Sequence, residues 1–275
     1  MTREQKYQAF RALHERPGAF VIPNPWNAGT AKILVGLGFE ALATTSAGYA
    51  FAVGQRDTST DLTRDGVLAN AKGIVEATDL PVSADLQDGF GRAPETCAET
   101  IRLASETGLA GGSIEDSTDD PNNPIYEFQL AVERVAAAAK AAHDSHFLLT
   151  ARAENFLHGQ PDLADTIRRL QAFAEAGADV LYAPGLPSLA AIREVCASVS
   201  KPVNVVMGLK GATFSVEELA AAGVKRISVG GTLARAALGA FVRAAREIRE
   251  KGTFTYSADA LPPAEAKAFM AAGKR

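Results

Sequence analysis

PVSADLQDGFG, residues 81–91, carries an apolar run into an acid, Asp85, and then into a glycine-bounded turn. GGSIE (111–115) repeats the arrangement with Glu115 last, and FLLTAR (147–152) repeats it with Arg152 last. Successive short apolar runs that end in charge are the pattern of a parallel barrel, where strand C-termini converge on one face and charged residues there read as chemistry. Working outward, similar runs recur at 19–22, 41–44, 180–183, 203–206 and 227–229, which with 82–84, 112–114 and 147–151 makes eight strand candidates.

Between these runs lie segments with apolar residues at helical spacing, among them 61–78, 93–107, 127–143, 163–176 and 231–252. Several helix candidates stop at a glycine (Gly38, Gly108, Gly177, Gly223), the position after a helix that needs positive φ. Strand alternating with helix means parallel pairing through right-handed crossovers. Unbroken apolarity in the strands fits a sheet covered on both faces. The expectation is an α/β protein, an (α/β)8 TIM-type barrel over residues 1–255, with 256–275 as a tail or partner-contacting helix. The alternative is an open doubly wound sheet, and no GxGxxG opens the first helix to support it.

A chain of 275 residues suits one barrel of about 250 residues. No apolar stretch approaches the roughly 20 residues needed to span a bilayer, so no membrane partner is expected. The start, MTREQKYQAFRALHERPG, is polar and acid-containing, unlike a secretory signal, and points to a cytoplasmic protein. A net charge of -4 with scattered bases argues against a nucleic-acid partner. Cys97 and Cys196 lack CxxC spacing or a nearby histidine pattern and read as buried thiols.

Mg²⁺ takes a few oxygen ligands and keeps several waters. Asp85, Glu115 from the next strand, and the Gln87 amide through water suit it; the plain alternative is that Asp88-Gly89 is only a turn. A guanidinium recognises a carboxylate bidentately, which explains an arginine at 152 beside a cation site. An internal ion pair of Arg152 with Glu154 or Glu115 is the other reading. His158, in the same loop, is a surface histidine or a proton carrier; His14, His143 and His146 carry no signal. The polar stretch DSTDDPNNPIYEFQ (116–129) reads as an active-site cover or a surface excursion. SVGGTLAR (228–235) opens a helix with glycines, as a phosphate site or a tight turn, with Lys210 as a nearby charge.

Taken together and in order, PNPWNAGTAKIL, TTSAGYAFAVGQRD, VSADLQDGFG, GGSIEDS, LTARAENF, GADVLYAPG and SVGGTLAR resemble the isocitrate lyase and phosphoenolpyruvate mutase superfamily. The resemblance implies a barrel whose last helix is swapped with a neighbouring subunit, a homodimer or homotetramer, and Mg²⁺ (or Mn²⁺) binding a small 2-oxo acid or its enolate. It implies that Asp85 binds the metal directly, that Glu115 holds metal-bound water, and that Gln87 stands where many members carry a second acid. It further implies that Thr45, Ser46 and Ala47 grip the substrate carboxylate, that Asp57 closes that segment, and that Arg152 neutralises the substrate.

The chain also departs from the family's patterns. The cover loop lacks the lyase cysteine and the phosphonate branch's lysine, though Asn122 and Asn123 are similar to that branch's polar gate. Ala183-Pro184-Gly185 stands where the lyases offer a glutamate and the phosphonate enzymes a histidine. The expected chemistry is C–C cleavage of a 2-oxo or 2-hydroxy dicarboxylate, as oxaloacetate decarboxylation or a retro-aldol step. The alternatives are a C–P enzyme acting on phosphonopyruvate and a non-catalytic 2-oxo acid binder.

Overall fold

The computed structural model describes residues 1–58, 60–211 and 213–271. Eight strands run in the order β1 (Phe20–Ile22), β2 (Leu42–Ala43), β3 (Val82–Asp85), β4 (Gly111–Glu115), β5 (Leu148–Arg152), β6 (Val180–Tyr182), β7 (Val203–Val206) and β8 (Arg226–Ser228). The helices are α1 (Arg3–Glu15), α2 (Ala28–Gly36), α3 (Ser46–Ala52), α4 (Arg64–Glu76), α5 (Pro94–Glu106), α6 (Phe128–Asp144), α7 (Leu163–Glu175), α8 (Leu189–Ser198), α9 (Val216–Ala221), α10 (Thr232–Lys251) and α11 (Pro263–Ala271). Every strand lies within two residues of its expected bounds, and Asp85, Glu115 and Arg152 are each the last residue of a strand. The four helix-ending glycines adopt φ of 87°, 88°, 107° and 95°, which is why the chain turns from helix to strand there without strain.

All strand pairs are parallel, in the order β1-β8-β7-β6-β5-β4-β3-β2. The β1–β2 seam is joined by a backbone bond beyond β1, from Ala43 N to Pro23 O at 3.0 Å, and by the Asn24 amide donating to Thr44 O at 2.9 Å. The barrel is therefore a TIM-type fold with one weak seam. Its bottom is plugged by α1, whose Phe10 and Leu13 pack with Phe20, Ile22 and Leu148.

His14 belongs to this plug. Its Nδ1–H donates to Phe10 O at 2.8 Å, leaving Nε2 as the acceptor facing Arg226 NH1 at 3.5 Å, and its ring meets Phe10 and Phe20 edge-on. Burial, and then the Arg226 charge, push its pKa down to about 3. The folded state thus binds fewer protons than the unfolded one between about pH 6.5 and 3, and stability falls as pH falls through that window. His14→Gln should flatten that acid limb, which in the native protein reaches as much as roughly 1.4 kcal/mol per pH unit. Urea unfolding at steps between pH 7 and pH 4 reads the difference, and parallel limbs in both proteins would refute it.

α10 leaves the barrel. Only Ala234 of its 20 residues is buried, and Phe241 is 70% exposed. α11 returns to α2, where Lys32 Nζ donates to Met270 O at 2.9 Å and Gly36 makes room for the Phe269 ring. Residues 272–275 of the expected tail lie outside the described residues. Among the described residues no helix is long and apolar enough to cross a membrane.

Candidate active site

The C-terminal ends of the strands surround a cavity of about 480 Å³. Register brings the charged strand ends together, because Glu115 pairs with Arg152 and Arg152 with Tyr182 across neighbouring strands. Arg152 NH1 lies 2.7 Å from Glu115 Oε1 and 3.3 Å from Asp85 Oδ1, and its Nε donates to Glu154 Oε1 at 2.7 Å. The guanidinium also sits over the Tyr182 ring at 4.8 Å. Both internal partners expected for Arg152 are therefore present, together with a third acid, and one cation faces three carboxylates.

That imbalance sets the electrostatics. Burial lifts Glu115 well above the usual carboxylate range; Arg152 pulls against this while Glu154 and Asp85 push with it. Burial opposes the charge of Arg152, but Glu115, Glu154, Tyr182 and Asp85 more than offset it and raise its pKa. Asp57 is exposed as a residue, yet its carboxyl turns toward Gln87 Nε2 at 3.5 Å, and loss of solvent followed by the Asp85 charge raises its pKa.

Asp85 is held in place by the strand-2 loop. Its Oδ2 accepts from Ser46 N at 3.0 Å and Ser46 Oγ at 2.8 Å, and its backbone N–H donates to Thr44 Oγ1 at 3.0 Å. Thr45 caps α3 through Gly48 N, and Thr45, Ser46 and Ala47 all line the cavity. The polar groups of Ser46 that the resemblance assigns to substrate are thus engaged with Asp85. Gln87 is in the left-handed region at φ 49°, held by Glu115 N donating to its carbonyl at 2.9 Å. Its buried side-chain Oε1 has no partner, an orphaned acceptor on the cavity wall.

Other expectations resolve plainly. In SVGGTLAR the N–H groups of Val229 and Gly230 both donate to Asn24 Oδ1 at 2.9 Å, so the tight-turn reading holds there. In the loop after β4, Thr118 and Asp119 line the cavity, whereas Asn122 and Asn123 bond back to Asp120. His158 lines the mouth and Lys210 is exposed elsewhere. Cys97 is buried and Cys196 half-buried; burial pushes both thiols up to about 11, and neither lines the cavity.

Sequence reasoning missed Tyr182, although it ends β6 as Arg152 ends β5. It also missed Asp116, which turns away from the cavity to accept from Glu154 N at 2.8 Å and Arg169 NH1 at 3.2 Å. Asp116 thereby fixes the segment that carries Glu154.

Among the described residues no three acid, histidine or cysteine side chains close around a metal by themselves. Mg²⁺ does not require that, since it usually binds through one or two carboxylates with water and substrate oxygens completing its shell. The excess of carboxylate over cation and the orphaned Gln87 oxygen fit a hydrated divalent ion.

The sequence model of the phosphoenolpyruvate phosphomutase family matches residues 10–249. The 2-methylisocitrate lyase of Escherichia coli K12 is 30% identical over 226 residues, 79% of this chain and 75% of that protein. A crystal structure from Burkholderia cenocepacia J2315, whose lyase or mutase assignment is itself provisional, is 58% identical with a TM-score of 0.95 and covers 98% of this chain and 97% of its own. The structure of 2,3-dimethylmalate lyase is 26% identical with a TM-score of 0.86, over 98% and 95% of the two chains. These structures share the barrel fold with this chain, and the chain belongs to the phosphoenolpyruvate mutase family, as an enzyme of the isocitrate lyase/phosphoenolpyruvate mutase superfamily.

Proposed function

We propose that the protein is a Mg²⁺-dependent lyase that cleaves a C–C bond in a small 2-oxo or 2-hydroxy dicarboxylate, with oxaloacetate decarboxylation or retro-aldol cleavage as the reaction. The observation that carries this reading is the contact of Arg152 with Asp85 and Glu115 at three adjoining strand ends. Asp85 would hold the ion directly and Glu115 and Gln87 through water, and the bound ion would supply Lewis-acid stabilisation of enolate charge.

The chain's own groups do the rest. Arg152 uses NH1 and Nε on its three acids, which leaves NH2 to orient a substrate carboxylate. In decarboxylation the bond to the leaving carboxylate breaks, its electron pair enters the enolate and CO₂ departs, so no base is needed to begin. That suits a cavity lined by no cysteine. Names of relatives support C–C cleavage too, since both 2-methylisocitrate lyase and 2,3-dimethylmalate lyase are lyases.

The test is release of pyruvate or glyoxylate from oxaloacetate, 2-methylisocitrate, isocitrate, 2,3-dimethylmalate and phosphonopyruvate, in Mg²⁺ or EDTA, with wild type and Asp85→Ala. The variant sets the background, because free Mg²⁺ itself slowly decarboxylates oxaloacetate. Turnover lost in both EDTA and the variant supports the proposal. Turnover of phosphonopyruvate alone would replace it with C–P chemistry, and binding without turnover would replace it with a 2-oxo acid binder.

A neutral Gln87 leaves the ion with less negative charge than a second acid would. Gln87→Asp should therefore tighten Mg²⁺ about tenfold, read by calorimetry without substrate. An unchanged affinity would remove Gln87 from the metal's surroundings.

The same proposal includes a homodimer or homotetramer in which α10 packs on a neighbouring barrel. Its support is the apolar face that α10 exposes, with Leu238, Phe241 and Val242 in solvent. Sedimentation velocity should show the oligomer, and a monomer at micromolar concentration would refute it.

A further inference from the structure

Below Arg152 the cavity continues into the barrel, where a second arginine faces it. Arg226 in β8 is 5% exposed, and every group it meets is neutral. Nε donates to Asn204 Oδ1 at 2.8 Å, NH2 to Thr150 Oγ1 at 2.9 Å, and NH1 faces the bare Nε2 of His14 at 3.5 Å. A guanidinium carries five N–H donors, so two are left over. Among the described residues Arg226 has no ion pair with a carboxylate.

Burial lowers the pKa of Arg226 to about 10, and nearby Arg152 lowers it too, against an opposing pull from the Tyr182 oxygen. It nevertheless remains charged at neutral pH. An unpaired charge in a protein interior is costly and is ordinarily matched by a counter-charge. Arg152 differs in this respect, since three acids already engage it. Ser83 and Ser113 line the same cavity as Arg226. Hydroxyl and guanidinium N–H groups around one hollow are the donors that suit an anion.

We infer that Arg226 forms a second anion-binding site at the floor of the barrel, separate from Arg152, which takes one compact monoanionic group. The group is either a halide from solution or the far carboxylate of a bound acid. Only the second source rests on the proposed reaction. His14, Asn204 and Thr150 hold the guanidinium still without neutralising it, which keeps the site selective for charge.

The test uses crystals of the full chain grown in sodium bromide, with thermal unfolding in chloride against methanesulfonate at equal ionic strength. The expected result is an anomalous bromide peak within hydrogen-bond reach of Arg226 and a melting temperature about 3 °C higher in chloride. Arg226→Met should lose both, and Arg226→Lys, which keeps the charge and guards against a folding failure in the first variant, should keep part of the shift. No peak in the wild type overturns the site, as does a peak that persists in Arg226→Met, which would mark an adventitious ion only. Bromide expelled by malonate and not by pyruvate assigns the site to a substrate's far carboxylate. Bromide retained under both assigns it to a free halide, and that result leaves the lyase proposal untouched.

Discussion

Arg152→Met should lower kcat/KM on the accepted substrate by about 10³-fold or more. Loss of a single preorganised donor from an active site already costs about 10²–10³, and Arg152 also organises what surrounds it. Asp85, Glu115 and Glu154 lie within 3.3 Å of its nitrogens. Without it three carboxylates face one another in a poorly solvated cavity, and removing one partner of a buried ion pair costs about 3–5 kcal/mol. The variant should relieve the repulsion by taking up protons, with Glu115 rising further above its already raised position. A carboxyl raised in the folded state favours folding below its unfolded pKa and loses that contribution as pH rises. Arg152→Met should therefore lose stability more steeply than wild type as pH rises above the ordinary glutamate range. Arg152→Lys restores one charge but no planar fork and should recover activity only in part. Activity within tenfold of wild type in Arg152→Met would remove this residue from the chemistry.

Asp85→Asn carries the second large effect. Asp85 Oδ2 takes two hydrogen bonds from Ser46, while Oδ1 faces Gln87 N at 3.4 Å and Arg152 NH1 at 3.3 Å. Every one of these neighbours is a donor, so an asparagine must aim its NH₂ at another N–H or O–H. The charge is lost and the geometry disturbed together. Mg²⁺ affinity should fall by at least about 100-fold, since even outer-sphere partners of a metal are worth 10–100-fold, and turnover should fall with it. Ser46→Ala provides the contrast. It removes one hydrogen bond to the carboxylate, worth about 1.5–3 kcal/mol, and leaves the charge, so raised Mg²⁺ should restore its activity. Undiminished Mg²⁺ binding by Asp85→Asn, measured calorimetrically, would sink the assignment of Asp85 as the direct ligand.

Much of this site was legible from residue order. A strand in a parallel barrel delivers its last residue to one face, so the terminal positions of PVSAD, GGSIE and FLLTAR located Asp85, Glu115 and Arg152 before any contact was known. Helix-ending glycines worked for a similar reason, because positive φ is a local demand. Hydrogen bonds between distant segments were not legible. Ser46 meets Asp85 and Asn24 meets the turn after β8 only once the barrel closes, and nothing local in TTSAG or SVGG distinguishes a donor aimed at ligand from one already engaged. Arg226 was overlooked because inward or outward direction along a three-residue strand depends on register, which an apolar run does not reveal.

The weak seam has a consequence for synthesis. β1 is made first yet pairs with β8, so Phe20 must wait for Arg226, its register partner. Contacts so far apart along the chain pay loop-closure entropy before they are rewarded. A nascent chain with β2 to β7 assembled holds an open sheet whose β2 and β7 edges lack partners. Docking of β1, followed by α1 beneath it and Lys225 Nζ onto Gly18 O at 2.8 Å, is then a late post-translational step. Backbone amides at this join, Ala43 first among them, should exchange with deuterium before those of β4 and β5, and the opening event that admits solvent to the barrel should begin there.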